Sequence, residues 1–123
     1  MNEIYRPIPQ RSPITTHVLD TCIGRPAANV GVTLEVAASN GWTVLAERVT
    51  NTDGRVDDLL PGGSSIAAGN YRLTFGVDRY FAGRGLKSFY PTVVINFVVA
   101  SAAEHYHVPL LLNPFGYSTY RGS

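Results

Sequence analysis

The chain is built of short stretches in which apolar and polar residues alternate, separated by turns. Val30, Val32, Leu34 and Val36 occupy every second position, so on a strand they share one face. Asn40-Gly41 follows as a hairpin turn, and Trp42 to Thr50 returns as the partner strand. Asp53-Gly54 is a second turn of that kind, and Leu60 to Ser65 reads as a loop. Tyr71 to Val77 alternates again behind a turn signal at Gly69-Asn70. Phe89 to Val99 is β-prone, with Val93, Ile95, Phe97 and Val99 on one face. Ile14 to Leu19 forms a first strand, and His105 to Leu112 and Tyr117 to Tyr120 form the last two. Asp78 to Gly83 interrupts the pattern as a short helix, with Asp78 as its cap and Gly83 or Gly85 as its stop. Seven to eight short strands with regular turns predict an all-β fold, a two-sheet β-sandwich with one short helix.

Composition narrows the class. The 123 residues suit one domain, here residues 13–123 behind a flexible arm at 1–12 that carries Pro7 and Pro9. Hydrophobic residues make up 45% of the chain, enough for a real core. A formal net charge of +1 offers no basic field for a nucleic-acid backbone. The single cysteine, Cys22, makes neither an internal disulfide nor a cysteine-pair zinc site. The first residues hold no apolar core of signal-peptide length, and no window approaches the roughly 18 apolar residues of a membrane helix. Arg121-Gly122-Ser123 is not a peroxisomal ending. The expectation is a cytoplasmic, reduced protein with neither nucleic acid nor membrane as partner.

The chemistry lies in the histidines and in the chain's last residues. If Thr16 and Val18 face inward, His17 and Leu19 share the outer face of their strand. The same alternation puts His105, His107, Pro109 and Leu111 on one outer face. All three histidines can then meet on one sheet surface, although a lone histidine is more often an ordinary surface residue. Spacing alone allows a three-histidine zinc site. It equally allows a metal-free site, with one histidine as general base on water and an arginine stabilising developing negative charge. Arg55 and Arg121 are the candidate arginines, and a solvated turn residue is the plainer reading of Arg55. Ser123 lacks the Gly-x-Ser-x-Gly surroundings of a nucleophile elbow. Gly83-Arg84-Gly85 is too short for a phosphate loop.

Three segments resemble those of the 5-hydroxyisourate hydrolases, the enzymatic branch of the transthyretin-like proteins. Thr15-Thr16-His17-Val18-Leu19-Asp20-Thr21 with Gly24-Arg25-Pro26-Ala27 is similar to their opening motif. Thr50-Asn51-Thr52-Asp53-Gly54-Arg55 is similar to the middle one. His105 through Ser123, closing on Tyr120-Arg121-Gly122-Ser123, is similar to the terminal one. That last motif is the most specific, because the hormone-carrier branch lacks the histidine at 107 and the Arg-Gly-Ser ending. The resemblance covers residues 14–123. Cys22 departs from it where alanine is common, and Thr92-Val93-Val94 where an acidic residue is often seen.

The resemblance implies a β-sandwich that assembles as a homotetramer, a dimer of dimers, with active sites in a channel at the interface between dimers. It implies metal-free and cofactor-free hydrolysis of 5-hydroxyisourate to 2-oxo-4-hydroxy-4-carboxy-5-ureidoimidazoline in urate degradation. By motif, the catalytic residues would be His17, Arg55, His107 and Ser123, with Arg55, Tyr120, Arg121 and Gly122 on the substrate. His105 would lie near the rim. A carrier of a small apolar ligand in the same channel is the alternative.

Overall fold

Apolar alternation decides which face of each strand is buried. In the computed structural model, which describes residues 11–123, two sheets pack with these faces together. The elements in order are β1 (Ile14–Asp20), β2 (Arg25–Pro26), β3 (Gly31–Ala38), β4 (Gly41–Val49), β5 (Arg55–Val56) and β6 (Gly69–Phe75). Helix α1 (Val77–Ala82), β7 (Val93–Val99), β8 (Tyr106–Asn113) and β9 (Gly116–Thr119) complete the fold. One sheet runs β2-β1-β8-β9, with β5 also paired to β1, and the other runs β4-β3-β6-β7. Val32 and Leu34 of β3, Leu73 and Phe75 of β6, Val93 of β7 and Leu110 and Leu112 of β8 are buried between them. Each such Val, Leu or Phe side chain contributes about 1.5–3 kcal/mol by leaving water.

Among the described residues there are nine strands where seven to eight were expected, because β2 and β5 have two residues each, too few to show a period. The β-prone run from Phe89 enters a strand only at Val93. Before it, the Phe89 N–H donates to the Pro114 carbonyl (2.7 Å), and Pro91 has no N–H to give a ladder. Helix α1 is preceded by Gly76 and has no side-chain cap. Asp78 lies inside its first turn, where a negative charge complements the helix dipole. The expected arm at 1–12 lies outside the described residues up to residue 10. Ser12 is buried, its hydroxyl donating to the Ile14 carbonyl (2.7 Å) and accepting from the Leu60 N–H (3.1 Å).

The pairing that matters for chemistry is β1 with β8. It is parallel over Ile14↔Tyr106 to Asp20↔Leu112, and it sets Thr15 opposite His107 and His17 opposite Pro109. On the other edge of β1, β5 runs antiparallel and sets Arg55 opposite His17.

Candidate active site

On β1, Ile14, Thr16 and Val18 are fully buried while His17 and Leu19 are half-buried. On β8, Tyr106, Val108, Leu110 and Leu112 point inward and His107 and Leu111 are half-buried on the opposite face. Thr16 fixes the pairing from inside, donating to the Val108 carbonyl at 2.6 Å.

Arg55 is held at the edge of this surface by a turn. The Asn51 side-chain oxygen accepts from the N–H of Asp53 (2.9 Å) and of Arg55 (3.0 Å). Gly54 adopts φ +72°, and a Cβ there would collide with the Val18 carbonyl. That close approach lets the Val18 N–H donate to the Gly54 carbonyl (2.7 Å). The chain end folds back in the same way. The Gly122 N–H donates to the His107 carbonyl (2.8 Å), which brings Ser123 to the site.

A pocket of about 450 Å³ opens there, lined by Arg11, Thr15, Arg55, Asp57, His105, His107 and Ser123. Thr15 Oγ1 lies 2.7 Å from His107 Nδ1 and 3.2 Å from His105 Nε2. The two imidazoles are nearly parallel, 14° apart in plane with centroids 6.5 Å apart. Burial, then the Arg55 guanidinium and His17, hold His107 below the ordinary histidine value, against a weaker pull upward from Asp57. Burial, then Arg11, His107 and Arg121, lower His105 as well, with Asp57 again opposing. Both rings therefore favour the neutral form that can accept a proton.

The residues anticipated from sequence are distributed as follows. Arg55, His107 and Ser123 line the pocket. His17 sits beside it, across from Arg55, and is not part of the wall. Gly122 packs against the His107 ring. Tyr120 and Arg121 do not line this pocket but an adjoining groove of about 330 Å³, with Ile95, Phe97 and Tyr106, and His107 lines both. Arg121 is drawn there by the Tyr106 ring, 4.4 Å from the guanidinium carbon to the ring centroid, and by the His105 carbonyl (3.2 Å) and Glu104 (3.4 Å). His105, expected at the rim, is in the pocket and tied to Thr15. Sequence reasoning passed over Thr15, Asp57 and Arg11. Thr15 carried a signal, since it lies two residues before His17 and so on the same face. Among the described residues no three histidine, cysteine or carboxylate side chains come together as a metal-binding group.

A sequence model of the HIUase/Transthyretin family matches residues 14–122. The chain belongs to this family. It is 46% identical over 114 residues to 5-hydroxyisourate hydrolase 2 of Rhizobium meliloti, covering 89% of this chain and 95% of that one. The structure of Klebsiella pneumoniae 5-hydroxyisourate hydrolase superimposes with a TM-score of 0.79 at 36% identity, covering 93% and 99% of the two chains. Sea bream transthyretin in complex with thyroxine superimposes with a TM-score of 0.84 at 29% identity, covering 90% and 95%. The fold is thus common to hydrolases and carriers, and the site has to separate them.

Proposed function

We propose that this chain hydrolyses 5-hydroxyisourate to 2-oxo-4-hydroxy-4-carboxy-5-ureidoimidazoline, as its relatives' names indicate, with water activated by a histidine base. The observation that carries this reading is the pairing of a partly buried, neutral-leaning His107 with Arg55 in one small pocket. The substrate is a small, planar, polar ring with an amide carbonyl. His107 takes a proton from water as the oxygen adds to that carbonyl. The ring C–N bond then breaks, and the proton passes to the departing nitrogen. Arg55 presents a planar fork of donors to the developing oxyanion, a contribution typically worth ~3 kcal/mol, or about a hundredfold in rate. Ser123, in the pocket wall, orients water or substrate. His17 tunes the site from beside it. Two arginines, an aspartate and two histidines around the pocket suit this polar substrate better than an apolar hormone.

The proposed assembly is a homotetramer, a dimer of dimers. Phe89, Tyr90 and Tyr117 pack edge to face as an exposed aromatic cluster, Val98 and Tyr120 share an exposed groove, and contiguous apolar patches of this kind are usually covered. The proposed location is cytoplasmic, where the exposed Cys22 thiol would stay reduced. No helix among the described residues is long and apolar enough to cross a membrane. The test is direct: purified protein is added to freshly generated 5-hydroxyisourate and the ultraviolet decay is followed. Acceleration over buffer supports the hydrolase. No acceleration, together with saturable thyroxine binding, would favour the carrier.

A further inference from the structure

We propose that Thr15 is a positioning residue: its hydroxyl accepts from His107 Nδ1–H and donates to His105 Nε2, so that one proton pattern links the two rings and leaves His107 Nε2 as the free base. The inference rests on the hydrolase reading and gives a part to Thr15, a residue of the opening motif to which the resemblance assigned no role.

The geometry supports it in three ways. Thr15 is buried, 4% exposed, and its oxygen is within hydrogen-bond reach of one nitrogen of each ring. A hydroxyl has a single proton, so it cannot donate to both rings at once; at least one ring must donate to it. In the neutral imidazole one nitrogen is a donor and the other an acceptor, and the bond made by one fixes the role of the other. If His107 Nδ1 donates to Thr15, Nε2 is left with its lone pair and can take the proton of water. If Thr15 donates to His107 instead, the ring proton sits on Nε2 and the base is blocked. His105 Nε2, at 3.2 Å, is the acceptor that turns the hydroxyl proton away from His107. The parallel β1–β8 register holds Thr15 directly across from His107, so the alignment is built into the sheet. The cycle balances without moving a proton through Thr15. His107 Nε2 gains a proton from water and returns it to the leaving nitrogen, while its Nδ1–H stays on the Thr15 oxygen throughout.

The test compares Thr15→Val, which keeps the shape and removes the hydroxyl, with Thr15→Ser, which keeps the hydroxyl. Thr15→Val is expected to lower kcat by about tenfold to a hundredfold with KM little changed, less than the ~100- to 10,000-fold worth of a general base. Thr15→Ser should restore most of the rate. Equal kcat in Thr15→Val and wild type, or a Thr15→Ser as poor as Thr15→Val, would overturn the proposal. Nitrogen-15 imidazole NMR of the unsubstituted protein gives a reading independent of variants and of turnover. It should show the neutral His107 proton on Nδ1 and His105 Nε2 unprotonated. A His107 proton on Nε2 would overturn the assignment. If the wild-type protein fails to hydrolyse 5-hydroxyisourate, the function reading falls, and the NMR result still decides the hydrogen-bond pattern on its own.

Discussion

A methyl group on Gly122 would sit 2.6 Å from Cδ2 of His107. The glycine one residue from the chain end is therefore shaped to the histidine ring, and its N–H bonds that residue's own carbonyl at 2.8 Å. Gly122→Ala should push either the ring or the end segment aside. A displacement of this kind costs about a hundredfold in rate when it disturbs a reacting group. Thermal unfolding should change little, since residues 120–123 lie outside the core. Turnover and melting temperature measured on the same preparation check both halves.

With His107 as the proposed base, its proton affinity should set the acid limb of activity. Burial, Arg55 and His17 hold it below the ordinary value of 6.5. The base is then already neutral at pH 7, and kcat/KM should be level through neutrality and fall only below 6.5. The same shift has a stability consequence. The unfolded chain binds more protons between the lowered folded value and 6.5, so this contribution is present above 6.5 and is lost as pH falls through the folded value. An acid midpoint above 6.5 in a pH–rate profile would contradict the site.

In the proposed mechanism Arg55 acts on both the substrate and the base. Arg55→Ala should cost about a hundredfold in kcat/KM. It should also move the acid limb to higher pH, because a positive neighbour of His107 is gone. Asp57→Asn should move the limb the other way, since Asp57 raises His107. Opposite displacements in the two profiles are the check.

Asp20 anchors the end of β1 to the helix side of the fold. It is fully buried and accepts from the Cys22 N–H (2.9 Å), the Tyr80 hydroxyl (2.7 Å) and Arg84. Burial and then the bond to Asp20 push the Tyr80 phenol up to about 12. Its stabilising effect is full below the ordinary 10.0 and is lost as pH rises through about 12. Asp20→Ala should destabilise by about 2–3 kcal/mol, the worth of hydrogen bonds to a buried charged group. It should also bring the Tyr80 titration down. Denaturant melts and ultraviolet phenolate titration measure the two effects.

Strand faces were legible from alternation alone, as Val32 and Leu34 or Leu73 and Phe75 illustrate. The outward pairing of His17 with Leu19, and of His107 with Leu111, followed from the same period. The parallel partnership of β1 with β8 was not legible, because a period of two assigns faces and says nothing about neighbours. For that reason the pairing of Thr15 with His107 went unseen, although alternation already put Thr15 on the face of His17. Two-residue strands carry no period, so Arg55 was found through its motif and its turn, not through β5. The Arg121 side chain could not be placed from sequence. Its direction is set by the Tyr106 ring and Glu104, which reach it only in the folded chain.

The central claim is that His107 is the base of a 5-hydroxyisourate hydrolase. The most direct test is turnover of freshly generated substrate by the wild-type protein and by His107→Ala at pH 7. The wild type should accelerate ultraviolet decay strongly over buffer. His107→Ala, correctly folded by its melting curve, should lose about 100- to 10,000-fold of that acceleration. A folded His107→Ala that turns over at the wild-type rate would contradict the account.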